Sequence, residues 1–149
     1  CMRYQGKFRP RNYQKYKGAP TNIIYRSRWE LKFMKWCDNN TNILQWASEE
    51  FFIPYRSPLD NKWHRYFPDF YIKVKQHDGS VKKFIIEVKP KKQCSPPEKT
   101  PKRKTKRWFK EVKTWGVNSA KWKYATSWCE NNGMEFKILN EDHLEISYK

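Results

Sequence analysis

The stretch Tyr66-Phe67-Pro68-Asp69-Phe70-Tyr71-Ile72-Lys73-Val74-Lys75, then Gln76-His77-Asp78-Gly79-Ser80, then Val81-Lys82-Lys83-Phe84-Ile85-Ile86-Glu87-Val88-Lys89, decides the fold. Phe70, Ile72 and Val74 alternate with Tyr71 and Lys73, the period-two pattern of a strand. Asp78-Gly79 is a hairpin-turn signal, so Tyr66 to Lys75 and Lys82 to Lys89 are predicted to pair antiparallel. Phe84-Ile85-Ile86 is apolar enough for a central strand, which Pro90 ends. Asp69 opens the first strand and Glu87 closes the second, with the turn midway. The hairpin therefore sets two carboxylates side by side.

Two carboxylates at adjoining strand ends can share a hard divalent cation such as Mg²⁺, which takes oxygen ligands and keeps several waters. Glu87 and Lys89 are two apart in one strand and share a face, while the Val88 side chain points away and its carbonyl stays within reach of a metal. Lys89 could orient or help deprotonate an attacking water, or offset charge on a phosphate under attack. Alternatively, Pro68-Asp69 is a strand-entry turn and Glu87 with Lys89 an exposed cross-strand charge pair. Against this stands the apolar run Phe84 to Val88, since an unpartnered Glu in a central strand is costly. Pro68-Asp69 followed by Glu87-Val88-Lys89 matches the PD…(D/E)xK pattern of metal-dependent nucleases.

Upstream, Ser27-Arg28-Trp29-Glu30 has the form of a capping box opening a helix, with Trp29, Phe33 and Trp36 or Cys37 at helical spacing and Asn39 to Asn42 as its stop. The cap alone explains Glu30, yet an acid there is also a candidate third ligand. Phe51-Phe52-Ile53-Pro54-Tyr55 reads as the first strand, with Pro54 marking an edge, and Glu49 and Glu50 as solvated acids before it. Ser57 to Lys62 is a turn. Downstream, residues 90–105 form a basic, proline-rich loop inserted in the domain. Two helices are predicted after it, from Thr105 or Lys106 to Trp115 and from Ser119 to Asn131, the second with Trp122, Ala125 and Trp128 or Cys129 inward. A strand Glu135 to Leu139 and a short element Asp142 to Tyr148 close the chain. The expected fold class is α/β: a basic arm over residues 1–25, lacking helical or strand periodicity, and one domain over 26–149.

The chain has 149 residues, 32 Lys and Arg against 15 Asp and Glu, a net charge of +17 and 17% aromatics. Despite a mean hydropathy of −1.09, that aromatic content argues for a folded domain and against disorder. No apolar run reaches about 18 residues, so a membrane span and a secretory signal are not expected. Cys1 precedes Met2, which makes Met2 the expected start. Cys37, Cys94 and Cys129 lack metal-ligand spacing, and a reducing cytoplasm suits them. Residues 1–29 hold eight bases and no acid, and residues 89–113 hold eleven bases and two acids. The whole surplus lies in these two segments. Interleaved with Tyr4, Phe8, Tyr13 and Tyr16 in the first and with Pro in the second, such bases make salt-dependent, sequence-neutral phosphate contacts. Arg9, Arg11, Lys91, Lys92, Lys106, Arg107 and Lys110 are the candidate DNA contacts. No base-reading motif is evident, which favours structure-selective or nonspecific cleavage.

At Arg26-Ser27-Arg28-Trp29-Glu30, Ile53-Pro54-Tyr55, Tyr66-Phe67-Pro68-Asp69, Ile86-Glu87-Val88-Lys89-Pro90-Lys91-Lys92 and Val117-Asn118-x-x-Lys121-Trp122-Lys123, the chain resembles the head completion nucleases of T-even-type myoviruses. These are small members of the PD(D/E)xK superfamily, similar in core to the catalytic domain of the Tn7-type transposon end nuclease. The resemblance implies a restriction-endonuclease-like αβββαβ core with a mixed sheet, and Mg²⁺-dependent phosphodiester hydrolysis in which Mn²⁺ can substitute. By the same resemblance, Asp69 and Glu87 are metal ligands with the Val88 carbonyl, Lys89 is the catalytic lysine and Glu30 the helix-borne acid. It further implies action on the end of packaged double-stranded DNA before tail attachment. The setting would be the host cytoplasm and the head–tail junction of the virion, with head or portal proteins as partners and no small-molecule cofactor. The basic loop at 95–104 departs from the family pattern. Rival expectations are a branched-DNA resolvase or repair nuclease on the same fold, and a non-catalytic DNA-binding head protein.

Overall fold

The computed structural model describes residues 4–143 and orders the elements as β1 (Gly6–Phe8), β2 (Ile23–Tyr25), α1 (Arg28–Asn39), β3 (Ile43–Ser48), β4 (Ile53–Arg56), β5 (Trp63–Tyr66), β6 (Phe70–Lys75), β7 (Val81–Val88), α2 (Lys106–Asn131) and β8 (Glu135–Leu139). The hairpin forms as expected: β6 and β7 pair antiparallel from Phe70 opposite Ile86 to Lys75 opposite Val81. Gly79 sits at φ +86°, the left-handed conformation that makes Gly the fitting residue in this turn. Its neighbours close the turn, with Gln76 N–H donating to the Ser80 carbonyl at 2.7 Å.

One mixed sheet runs β3-β6-β7-β8, with β3 antiparallel to β6 and β8 parallel to β7. β7 is thus internal, and Phe84, Ile85, Ile86 and Glu87 are all buried. A strand covered on both faces shows a continuous apolar run in place of alternation. Together with α1 before β3 and α2 before β8, the sheet supplies the αβββαβ order. α1 packs through Phe33, Met34 and Cys37, with the Phe33 ring 4.5 Å from that of Phe70.

Three expectations are corrected. The sheet strand before the hairpin is β3, not Phe51 to Tyr55: Ile43, Trp46 and Ala47 are buried, and a register shift between Ile43 and Gln45 blurs their periodicity. β4 pairs only with β5, in a separate ribbon where Pro54 tolerates its edge position. Second, the predicted strand Tyr66 to Lys75 is broken at Phe67 to Asp69, so Tyr66 belongs to the ribbon and Phe70 to the sheet. Pro68 has no N–H to give either ladder. Third, α2 is one helix of 26 residues, capped by the Thr105 hydroxyl and continuous through Gly116 and Asn118. Asn118 is buried, and tertiary packing there overrides a weak local break signal. Ala125 and Cys129 face inward as expected, with Trp122 and Trp128 partly covered.

The N-terminal segment lies on the domain and contains strands that its sequence does not announce. β1 pairs antiparallel with β2, and Phe8, Tyr16 and Ile23 join the core around Trp46. Asp38, buried at the end of α1, accepts the backbone N–H groups of Arg11 and Asn12 at 2.9 and 3.0 Å. Lys15 Nζ donates to the carbonyls of Cys37 and Asn40 at 2.8 Å, satisfying acceptors that a helix end leaves open. Residues 90–105 lack regular structure apart from a short turn, Lys91–Cys94. Of the predicted closing element, all beyond residue 143 lies outside the described residues. No helix among the described residues is long and apolar enough to cross a membrane.

Candidate active site

Asp69 lies one step beyond the Phe70–Ile86 pair, which sets it across from Glu87. Val88 N–H donates to Asp69 Oδ2 at 2.7 Å, tying the carboxylate to the neighbouring strand. Lys89 N–H donates to the Leu139 carbonyl at 2.9 Å and prolongs the β7–β8 ladder, so Glu87 and Lys89 share a face. Glu87 is 5% exposed and its Oε2 accepts the Tyr66 hydroxyl. Burial pushes the pKa of Asp69 up to about 7, with the charges of Glu30 and Glu49 adding to it and the Val88 N–H and Lys89 opposing. Glu87 is likewise pushed up to about 7 by burial, opposed by Lys89 and Lys121. Two desolvated carboxylates side by side favour a shared cation.

No salt bridge to either carboxylate forms among the described residues. The ion pair that an ornamental Glu87 and Lys89 would make is therefore missing among these residues. Nor do three His, Cys, Asp or Glu side chains gather there into a complete metal cage. Mg²⁺ needs none, since it binds through one or two carboxylates and retains waters. Hard oxygen donors on one buried and one half-buried acid, both with raised pKa values and with no salt bridge among the described residues, fit such an ion.

Glu30 occupies the third position of α1, where its N–H donates to Ser27 Oγ at 3.1 Å and its carboxylate accepts that hydroxyl at 3.2 Å. The capping role is thus filled. Burial raises the pKa of Glu30, with Glu49 adding to the rise, and the Glu30 charge in turn raises those of Asp69 and Glu87.

Three neighbours escape the sequence reading. Glu49, expected as a solvated acid before a strand, lies in the link from β3 to β4: at φ +51° it turns the chain out of β3, donates its N–H to the Asp69 carbonyl at 3.2 Å and pairs with Arg26. Tyr66 holds Glu87. Lys121 Nζ lies 5.6 Å from the Tyr66 ring centre and feels the charges of Glu87, Lys89 and Asp69, while burial lowers its pKa. The signal for Lys121 is its spacing, since it shares a helix face with Asn118 and Ala125, both buried. A lysine on an inward face needs an anionic partner.

The candidate DNA contacts divide. Lys92, Arg107 and Lys110 line one groove of about 620 Å³ between the 92–98 loop and α2, floored by Trp115 and Asn118. A smaller hollow shares Lys110, Thr114 and Asn118 with it and continues to Lys113 and Lys121. The basic groove so continues to Lys121, whose charge acts on Glu87. Lys106 is exposed at the start of α2. Lys91 is exposed but paired with Asp142 at 3.1 Å. Arg9 and Arg11 are exposed on the N-terminal segment, whose Arg11 backbone is held at Asp38, the opposite end of α1 from Glu30. They stand apart from the groove.

The model of the family described as TnsA-like endonuclease N terminal matches residues 40–141, from β3 through β8, and leaves Glu30 just outside. The chain is 45% identical over 146 residues to the head completion nuclease of Enterobacteria phage T4, covering 96% of this chain and 95% of that protein. Its PD(D/E)xK-type fold, its carboxylate hairpin and these two likenesses agree, and the chain belongs to the TnsA-like endonuclease family, alongside the phage head completion nuclease.

Proposed function

We propose that the protein is a Mg²⁺-dependent endodeoxyribonuclease that hydrolyses phosphodiester bonds at the end of packaged DNA during phage head completion, before tail attachment. The observation that carries this reading is the pairing of Asp69 with Glu87 across the hairpin, both pushed up to about 7 and without a salt bridge among the described residues. Asp69, Glu87 and the Val88 carbonyl would hold the metal, with Glu30 directed at it from α1. When bound, the metal supplies an activated water and charge stabilisation at the phosphate. Tyr66 and the Val88 N–H fix one oxygen of each acid, leaving the second oxygen of each for an ion. Lys89, on the same face as Glu87, positions water or offsets phosphate charge. Lys121 adds a second cation from α2.

DNA reaches these groups along the basic groove, by contacts to phosphate that carry no sequence preference. The head-completion role rests on the likeness to the phage protein, as do a site of action in the host cytoplasm and at the head–tail junction and partners among head or portal proteins. Nicking of supercoiled plasmid with Mg²⁺ or Mn²⁺ tests the catalytic part. Wild type should nick, and Asp69→Ala and Glu87→Ala should not; equal activity in all three overturns it. Preference for four-way junctions over linear ends would instead favour a resolvase, and co-purification with heads without nicking a structural protein.

A further inference from the structure

The outer face of the β4–β5 ribbon gathers exposed aromatic and basic side chains. Ile53, Tyr55 and Tyr66 point inward against α2, so alternation turns Pro54 and Arg56 outward on one strand and Arg65 on the other, and Phe52 and Phe67 flank them just outside the two strands. Phe52 is 44% and Phe67 46% exposed. Their ring centres lie 5.8 Å apart at an interplanar angle of 52°, and the Arg65 guanidinium stands 5.0 Å over the Phe52 ring. Arg56 and Pro54 continue the face, both exposed. No acid interrupts it.

This cluster adjoins the carboxylate pair along the chain. Phe67 is two residues from Asp69, and Phe52 is three from Glu49, whose N–H is bonded to the Asp69 carbonyl. The ribbon's other face holds Tyr66 on Glu87, so the platform and the site are two sides of one short element. Two large rings left in water beside a reactive centre lose the burial they would have in the core. A ring paired with an arginine is the arrangement on which an unstacked nucleic-acid base and its phosphate can both be received.

We propose that Phe67, braced by Phe52 and Arg65, stacks an unpaired base next to the scissile phosphate, and that the preferred substrate is therefore DNA with single-stranded nucleotides at or beside the cut. The inference rests on the nuclease reading of the Asp69–Glu87 pair, and its choice of occupant follows the excess of positive charge on this face and over the chain. Fully paired duplex offers no free base face, so it gains less from the platform. The basic groove along α2 serves the phosphates of either form.

The test uses a single-stranded oligonucleotide with one 2-aminopurine, and a blunt duplex of equal length, bound without added metal to full-length protein carrying Asp69→Asn so that no cutting intervenes. Phe67→Leu keeps apolar bulk but has no ring, and Phe67→Trp keeps a ring. Loss of one stack is expected to weaken single-strand binding about fivefold or more in Phe67→Leu, with the fluorescence change lost. Phe67→Trp should retain both, and duplex binding should change less. Unchanged single-strand affinity and fluorescence in Phe67→Leu would overturn the proposal and favour a protein-docking face. Equal weakening of duplex and single strand would overturn it too. Nicking by wild-type protein with Mg²⁺ is measured in parallel: stacking without nicking supports the platform and sinks the nuclease reading, whereas nicking with stacking unaffected in Phe67→Leu overturns the platform alone.

Discussion

The backbone N–H of Val88 donates to Asp69 Oδ2 at 2.7 Å, so the strand that carries Glu87 also holds the carboxylate facing it. A main-chain donor cannot rotate away. It fixes one Asp69 oxygen in the sheet and leaves the other available, while burial, with the charges of Glu30 and Glu49, keeps the acid's pKa at about 7.

An amide oxygen can accept the same Val88 N–H, so Asp69→Asn should fold as wild type does. The folded-state pKa lies above the ordinary carboxylate value near 4, so the folded protein holds this proton more tightly than the unfolded chain. The stabilisation is complete below about pH 4 and is lost as pH rises through about 7. Without metal, Asp69→Asn is therefore expected to melt above wild type at pH 8, with the gap shrinking toward pH 5. Its nicking activity should fall at least about 100-fold. Thermal melts at both pH values and a plasmid assay check the pair of outcomes.

Divalent metal should act on the same balance from the other side. A cation that neutralises two crowded carboxylates stabilises the folded state by mass action, and more where both are ionised. Addition of Mg²⁺ is expected to raise the melting temperature of wild type more at pH 8 than at pH 6, and chelator should reverse it. In Glu87→Gln the shift should be much smaller. A shift of equal size in wild type and Glu87→Gln would place the ion elsewhere.

Tyr66→Phe removes the hydroxyl from Glu87 Oε2, and Lys121→Met removes the nearest cation that α2 contributes. A hydrogen bond to a charged group contributes about 1.5–3 kcal/mol, so single-turnover cleavage should slow by about tenfold or more in each variant. DNA affinity should change less than the rate. If affinity fell as far as the rate did, both residues would be substrate-binding groups and not supports of the carboxylate.

Asp38 is buried and accepts two backbone N–H groups from the N-terminal segment. Asp38→Ala strands those donors and should destabilise the fold by about 2–3 kcal/mol, whereas Asp38→Asn should cost less. Limited proteolysis is expected to cut the alanine variant first between residues 9 and 22. Equal protease resistance in wild type and variant would show that the segment is held without Asp38, by Lys15 and by the packing of Phe8, Tyr16 and Ile23.

Replacing Lys92, Arg107 and Lys110 together by Ala should lower the slope of log affinity against log salt by about 0.9 for each lost duplex phosphate contact. The same change at Arg9 and Arg11 should leave the slope nearly as it was, because those residues lie apart from the groove. Filter binding on a 30-base-pair duplex across a salt series measures both.

How far these features were legible follows from how locally each is encoded. Asp78-Gly79 and the alternation of Phe70, Ile72 and Val74 are local signals, so the hairpin and the placing of Asp69 beside Glu87 could be read directly. β3 was hidden because a register shift spoils the alternation of Ile43 to Ser48, and because the more apolar Phe51 to Tyr55 nearby imitates a sheet strand. The single helix α2 reads as two because residues 116–119 signal a break, whose cost is met by packing that no window of sequence contains. Lys15 and Asp38 look like surface charges until a separation of 23 residues is closed by folding. Tyr66 is the clearest such case among the residues around the carboxylates. Its sequence places it in a strand, but only the break at Pro68 turns its hydroxyl toward Glu87.

The most direct measurement is an anomalous difference map from a crystal soaked with Mn²⁺. The account expects one peak bridging the free oxygens of Asp69 and Glu87 within reach of the Val88 carbonyl, with Tyr66 and the Val88 N–H still on the other oxygens. A Glu87 carboxylate drawn instead into an ordered salt bridge with Lys89, with no peak between the two acids, would contradict it.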